Sequence, residues 1–368
     1  MTEWYKINDI ANLDTPALVV YPDRVKHNIA ALIKMVSDIS RLRPHIKTNK
    51  SREATQLMVD AGISKFKCAS IAEAELLGMI TAPEALLAYQ PIGPKLQRFI
   101  RLIKAYPDTK YACLTDDINV AISISDAALN AGIIIPVYID LNIGQNRTGI
   151  LPEFALDFYR SCAQLKGIKL LGLHAYDGHI HDKDLAERTK KCNAAFAIVC
   201  DLQKAIRNAG FPEPIIIAGG SPTFPIHAKR EAIECSPGTF IYWDQGYSLN
   251  CAEQPFLPSA LLISRVISLP DSSKICVDLG HKSVSAENEL TKRVYFINAP
   301  ELITLSQSEE HLVLEAGEGH QFTIGDVLYG IPYHVCPSVA LYERAITIEN
   351  NQIIGYWANI ARDRMITF

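Results

Sequence analysis

Between about residues 42 and 242 the chain alternates short apolar, β-branched runs with longer helical stretches, and this alternation leaves few folds open to it. The runs are LRPHIKT (42–48), KFKCAS (65–70), ALLAYQ (85–90), YACLTD (111–116), PVYIDLN (136–142), LLGLHAY (170–176), IIIAGGS (215–221) and AIECSPGT (232–239). Several are apolar throughout, as parallel strands buried on both faces must be. Between them lie helical segments such as SREATQLMVDAG, IAEAELLGMI and DLAERTKKCNAAFAIVCDLQKAIRNAG, and the glycine closing each DAG or NAG stands where a helix C-cap falls. Eight strands with seven connections predict an α/β fold, a (β/α)8 TIM-type barrel, with an open doubly wound sheet as the alternative.

After about residue 250 the texture changes. SALLISRVISLP, KICVDLG, RVYFIN, HLVLEAG and AITIENNQIIGYW are short β-rich pieces separated by turn residues, which predicts a mostly antiparallel β domain. ALVVY (17–21) is surplus to the barrel and free to pair with that second sheet. The expected division is therefore a barrel over 22–250 and a β-rich domain formed by 1–21 plus 251–368.

Composition narrows the function. With 368 residues, 48% hydrophobic, 21% charged and a net charge of −4, the chain fits neither a disordered segment nor a basic nucleic-acid-binding tail. No run approaches the roughly 18 apolar residues of a membrane span. The opening MTEWYKINDIANLDTP is too polar for a secretory signal, so a cytoplasmic location is expected. Nine dispersed cysteines without a CxxC pair read as reduced thiols, mostly small core groups.

Barrel active sites gather at the C-terminal ends of the strands, and three of these ends are unusually polar. LRPHIKTNK sets Arg43, His45 and Lys47 at alternate positions, hence on one face of a strand. Lys47 is either a salt-bridged lysine or a Schiff-base lysine activated by desolvation and by the cationic neighbours Arg43 and His45. IIIAGGSPTFP runs a buried strand into Gly219, Gly220, Ser221 and Thr223, small residues and hydroxyls suited to cradling a phosphate, or only a turn. IDLNIGQNRTG and GLHAYDGHIHD add Asp140, Asn142, Arg147, His174, Tyr176 and His179. Arg147 could stack on or hydrogen-bond an aromatic cofactor, and Tyr176 and His179 could transfer protons or be satisfied structural groups. Further on, GIPYHVCPSVALY sets His334 and Cys336 two apart, on one side of an extended segment, an imidazole and a thiolate fit for a soft divalent ion, zinc first. Taken alone, such a pair is more often coincidence.

Together these residues resemble the fold-type III pyridoxal-phosphate enzymes, in particular the D-threonine aldolase and D-serine dehydratase group related to alanine racemase. DTPALVVYPDRVKHNI is similar to the family's opening segment and RPHIKTNK to its lysine signature. NRTG, HAYDGH, AGGSPT, ECSPGTFIYWD, VDLGHKSVSAE and SEEHLVL follow in the family's order, so the resemblance covers nearly the whole chain. It implies pyridoxal 5'-phosphate held covalently by Lys47, its phosphate by Gly219, Gly220, Ser221 and Thr223. It implies Arg147 at the cofactor's phenolic oxygen or the substrate carboxylate, and Tyr176 and Tyr242 at the ring or the pyridine nitrogen. His45 either packs beside the lysine or supports the backbone. The position of His334 and Cys336 holds the family's metal ligands, in the His–x–Cys form that dehydratases of the group resemble, where aldolases carry His–x–Asp. The implied activity is a lyase for D-3-hydroxy amino acids, by elimination to a 2-oxo acid and ammonia or by aldol cleavage to glycine and an aldehyde. A racemase of the same fold, a non-catalytic cofactor carrier, or an unrelated barrel with a structural Lys47 are the alternatives. A homodimer acting on a small D-amino acid, with no nucleic acid or membrane partner, completes what the resemblance implies.

Overall fold

A computed structural model describes residues 3–368; Met1 and Thr2, which the sequence places in the β-rich domain, lie outside the described residues. The strands, in chain order, begin with β1 (Ala17–Val20), β2 (Lys65–Cys68), β3 (Glu84–Leu87), β4 (Lys110–Thr115), β5 (Ile135–Asp140), β6 (Ile168–Ala175), β7 (Ile215–Ala218) and β8 (Ile233–Cys235). They continue with β9 (Ala260–Ser268), β10 (Lys274–Val277), β11 (Val294–Phe296), β12 (Ile303–Gln307), β13 (Leu312–Glu315), β14 (Val327–Pro332), β15 (Arg344–Glu349) and β16 (Gln352–Ala358). The described residues form two compact units, one of residues 32–47, 55–238 and 363–368, the other of 3–31, 48–54 and 239–362.

In the first unit, β2 to β8 form one curled parallel sheet in sequence order. Helices Ile71–Met79, Pro94–Ala105, Ile118–Asn130, Pro152–Cys162 and Leu185–Asn208 connect successive strands. Their starts are written locally: Ser70 accepts from the Glu73 N–H, Asp117 from Asn119 and Val120, and Asp184 from Glu187. Ends are written too, since Gly132 and Gly210, after two of these helices, and Gly62, after the helix Arg52–Asp60, take φ of +70°, +88° and +93°, the left-handed C-cap that glycine adopts without strain. Leu86, Ala112, Leu114, Tyr138 and Ile217, from alternating strand positions, fill the interior.

The run 42–48 departs from expectation. It is not a regular strand, although it does lie where the eighth stave belongs. Leu42 bridges Cys235 of β8 and His45 bridges Lys67 of β2, both in parallel. Arg43 and His45 donate their N–H groups to Cys235 and Pro237 on one side, and Ile46 donates to Lys67 on the other. Pro44 has no N–H to add to that second ladder, so only isolated bridges remain. Arg43 also turns away from the role expected of it. Its guanidinium is 2% exposed and pairs with Glu234 at 2.7 Å and Glu84 at 2.9 Å. Lys65 reaches the same Glu234. Neutralised by two carboxylates, Arg43 pins staves together and does not supply the cationic neighbour for Lys47.

In the second unit β1 pairs antiparallel with β9 and parallel with β15, so ALVVY does join the later sheet and makes it mixed. The remaining pairings are antiparallel, and β15 and β16 form a hairpin through Asn350 and Asn351 at φ +48° and +62°, the positive values a tight two-residue turn requires. Its core gathers Val19, Tyr21, Leu261, Ile263, Tyr329, Ile331 and Ile348. No helix among the described residues is long and apolar enough to cross a membrane.

Removing one partner of a buried ion pair leaves an uncompensated charge. Arg43→Met should therefore lower the unfolding free energy by about 3 kcal/mol, measured by urea unfolding of the full chain.

Candidate active site

The C-terminal ends of the parallel strands bring several predicted residues together. Lys47 ends the irregular stave, half-buried, and its backbone N–H donates to His45 Nδ1 at 3.2 Å, so His45 supports the lysine through the main chain. Tyr176 follows β6, with the Arg147 guanidinium 5.3 Å and the Lys67 amine 5.2 Å from its ring centroid. Small residues crowd that ring: a Cβ would fall 2.4 Å from it at Gly178, which excludes one as it stands, and a tight 3.0 Å from it at Gly220.

The AGGSPT turn after β7 is built around Asp177. Gly219 takes φ +84° and Ser221 is buried in the same turn. Gly220 donates its N–H to Asp177 Oδ1 (3.3 Å), and the Thr223 hydroxyl donates to the same oxygen at 2.8 Å. His227 Nε2 holds Asp177 Oδ2 at 2.8 Å. Thr223 therefore braces the turn from behind. Burial alone pushes the Asp177 carboxyl up, but the bonds from His227, Thr223 and Gly220 outweigh it and leave it below the ordinary value.

Asp177, Cys192 and His227 offer ligand atoms within 4.8 Å of one another, yet their chemistry is not that of a metal site. The Arg230 guanidinium lies against His227 Nδ1 and 3.8 Å from the Cys192 sulfur, where it would repel a dication. Burial pushes the Cys192 thiol up to about 11, so it stays protonated.

The other candidates have local roles. Asn142 accepts the N–H groups of Gly144 and Asn146 and shapes its own loop. His179 is exposed and stands so close to Gly144 that a Cβ there would lie 2.7 Å from its Nε2. Asp140 Oδ1 holds His174 Nδ1 at 2.7 Å. Asp177, His227 and Lys67 join the expected residues at this end of the barrel unit. For Lys67 the signal was present, a charged residue inside a strand buried on both faces.

In the second unit Tyr242 is fully buried and its hydroxyl has no hydrogen-bond partner among the described residues. His334 and Cys336 are not on an extended segment as expected. His334 precedes the short helix Val335–Val339 without a capping bond of its own, and Cys336 lies within the first turn, where Pro337 is tolerated and Asp244 Oδ2 accepts the Val335 N–H at 3.1 Å. The two side chains nonetheless meet, with the Cys336 sulfur also 3.1 Å from the Thr48 hydroxyl. Glu287 holds His334 Nδ1. Burial lowers the His334 pKa, but Cys336, Glu287 and Asp244 together raise it to about 9.

The sequence profile of the alanine racemase N-terminal domain matches residues 20–246, more than half of the chain. The chain belongs to this family. A serine dehydratase domain profile matches residues 259–348 of the same family member. D-threonine aldolase of Arthrobacter sp. is 25% identical over 96% of this chain and 94% of its own. A crystal structure of D-threonine aldolase from Filomicrobium marinum superposes with TM-score 0.88 at 24% identity, covering 96% of each chain. Structures of a D-threo-3-hydroxyaspartate dehydratase give TM-score 0.83 at 22% identity, over 95% of this chain and 95–98% of theirs. They include a histidine-to-alanine variant and a cysteine-to-alanine variant described as metal-free, the two positions lying two apart in that chain.

The family's cofactor is pyridoxal phosphate, and the residues present fit it. The barrel unit offers a half-buried Lys47 amine, the Arg147 guanidinium and a glycine turn after β7. In the other unit the buried Tyr242 phenol has no hydrogen-bond partner among the described residues. The donors on His334 and Cys336 fit a soft divalent ion equally well, because a carboxylate on Nδ1 leaves Nε2 as the ligand nitrogen. Such an ion must displace the proton that His334 retains up to about pH 9. Zinc uptake should strengthen as pH rises from 7 toward 9 with release of protons, which calorimetry in buffers of different ionisation enthalpy detects.

Proposed function

We propose that this chain is a pyridoxal-phosphate-dependent lyase for D-3-hydroxy amino acids, of the dehydratase type, releasing a 2-oxo acid and ammonia. The observation that carries the dehydratase assignment is the meeting of the His334 imidazole and the Cys336 thiol, with Glu287 behind the imidazole. A histidine and a cysteine at this same spacing are each replaced by alanine in the variants of the D-threo-3-hydroxyaspartate dehydratase. Aldol cleavage, the activity named for the two D-threonine aldolases, is the second reading, favoured by their 25% and 24% identity to this chain.

When bound, pyridoxal phosphate supplies an electron sink next to the substrate Cα. The chain's own residues do the rest. Lys47 Nζ would hold the cofactor covalently and is the amine placed to take the Cα proton. Gly219 and Ser221 would hold the phosphate, in a turn that Asp177 fixes through Gly220 and Thr223. Arg147, beside Tyr176, takes the substrate carboxylate or the cofactor's phenolic oxygen, and Tyr176 and Tyr242 make ring or oxygen contacts. His334 and Cys336 would hold a divalent ion, and the chemistry it would supply there is Lewis acidity toward the substrate's β-hydroxyl. A racemase needs no such ion, and a bare cofactor carrier needs no second, β-rich unit. Cysteines left free at all nine positions support a reducing, cytoplasmic compartment, and a homodimer is the expected assembly.

Separate incubations with D-serine, D-threonine and D-threo-3-hydroxyaspartate should yield 2-oxo acid and ammonia; glycine with an aldehyde would move the assignment to the aldolase reading, and inverted substrate alone to the racemase. Lys47→Ala should lose borohydride-fixed cofactor. Cys336→Ala should keep it and lose chelator-sensitive turnover, and full activity of that variant in chelator sinks the metal role. Light scattering should give about twice the 40.8 kDa chain mass.

A further inference from the structure

Lys67 is a buried lysine that the proposed reaction does not use. It lies in β2, 2% exposed, and among the described residues its amine makes two polar contacts, neither with a carboxylate: Ser236 Oγ at 2.6 Å and His174 Nε2 at 3.4 Å. Both contacts lead onward. The Ser236 hydroxyl donates to the Gly219 carbonyl at 3.0 Å, at the head of the phosphate turn. His174 donates Nδ1–H to Asp140, which leaves Nε2 as an acceptor for the amine. One amine thus ties the turn after β7 to the histidine of β6.

A structural lysine would be placed differently. Burying an ammonium without a direct counterion is expensive, and a methionine would fill the same strand position without that cost. The surrounding charges are mixed: Lys47 and Arg147 disfavour the ammonium, while Asp140 and Asp177 favour it. Burial is the largest effect and pulls the amine from its ordinary 10.5 down to about 7. The unfolded chain keeps this proton up to about 10.5, so folding carries a penalty that is full below pH 7 and fades as pH rises to 10.5. A group that weakens the fold and yet organises two site elements has the signature of function.

We propose that Lys67 is a positioning residue of the cofactor cradle, which fixes the Gly219 carbonyl through Ser236 and holds His174 Nε2 as a hydrogen-bond acceptor. The proposal rests on the reading that the turn at 219–221 binds the cofactor's phosphate. It gives stability and binding effects of opposite sign, whereas a purely structural lysine would lose both together.

The test uses the full chain and its Lys67→Met variant, with Ser236→Ala as a second, smaller cut in the same link. In cofactor-free protein, Lys67→Met should raise the Tm at pH 7, with the gain vanishing toward pH 10. Affinity for inorganic phosphate should fall about tenfold in both variants, the loss of roughly one organising hydrogen bond. The His174 imidazole, which burial and then the nearby Lys67 charge hold below the ordinary histidine value against the pull of Asp140, should titrate at higher pH in Lys67→Met by NMR. Native phosphate affinity together with an unmoved His174 titration in the variants overturns the role of Lys67. If the unmodified protein itself binds neither phosphate nor pyridoxal phosphate, the cradle reading fails first and takes this role with it.

Discussion

Asp177 is a carboxylate sealed inside the barrel unit, and a charge so placed survives only where donors surround it. Here His227, Thr223 and the Gly220 N–H supply them. Because these donors come from the turn after β7 and the helical turn beyond it, satisfying the charge fixes the path of the backbone. The turn after β7 is thus shaped by an electrostatic requirement beneath it. Arg230 completes the arrangement by meeting His227 from its other nitrogen, which keeps the network a closed hydrogen-bond system and bars a metal from it.

The opposite end of the same barrel unit is organised by another buried charge. Arg43 joins Glu234 of β8 to Glu84 of β3, and so links staves on both sides of the irregular run that carries Lys47. That run has lost part of its ladder to Pro44, and the ion pairs and the two isolated bridges hold it in place. The lysine is therefore presented from a segment anchored by side chains where a regular strand would have relied on backbone bonds.

The β-rich unit treats His334 in a related way. Glu287 takes Nδ1, Asp244 caps the short helix that follows, and Cys336 is turned back against the imidazole. A free histidine–cysteine pair at this spacing could point anywhere. The capped helix gives it one arrangement.

Much of this was legible in the sequence. Strand runs, helix caps and the glycine C-caps depend on local backbone preference and on burial of both faces of a strand, and these are written residue by residue. The lysine, the glycine turn and the His–x–Cys pair were visible as residue types out of place in ordinary structure. What stayed hidden needed residues far apart in the chain to be brought together. Arg43 looked like a neighbour of Lys47 until Glu84 and Glu234 claimed it, and Thr223 looked like a phosphate ligand until Asp177 took its hydroxyl. The sequence by itself determined the order of strands and helices and the chemical groups available, because those follow from local periodicity. Only the tertiary structure decided which donor faces which acceptor, because a buried charge chooses its partners by distance in space and not by spacing along the chain.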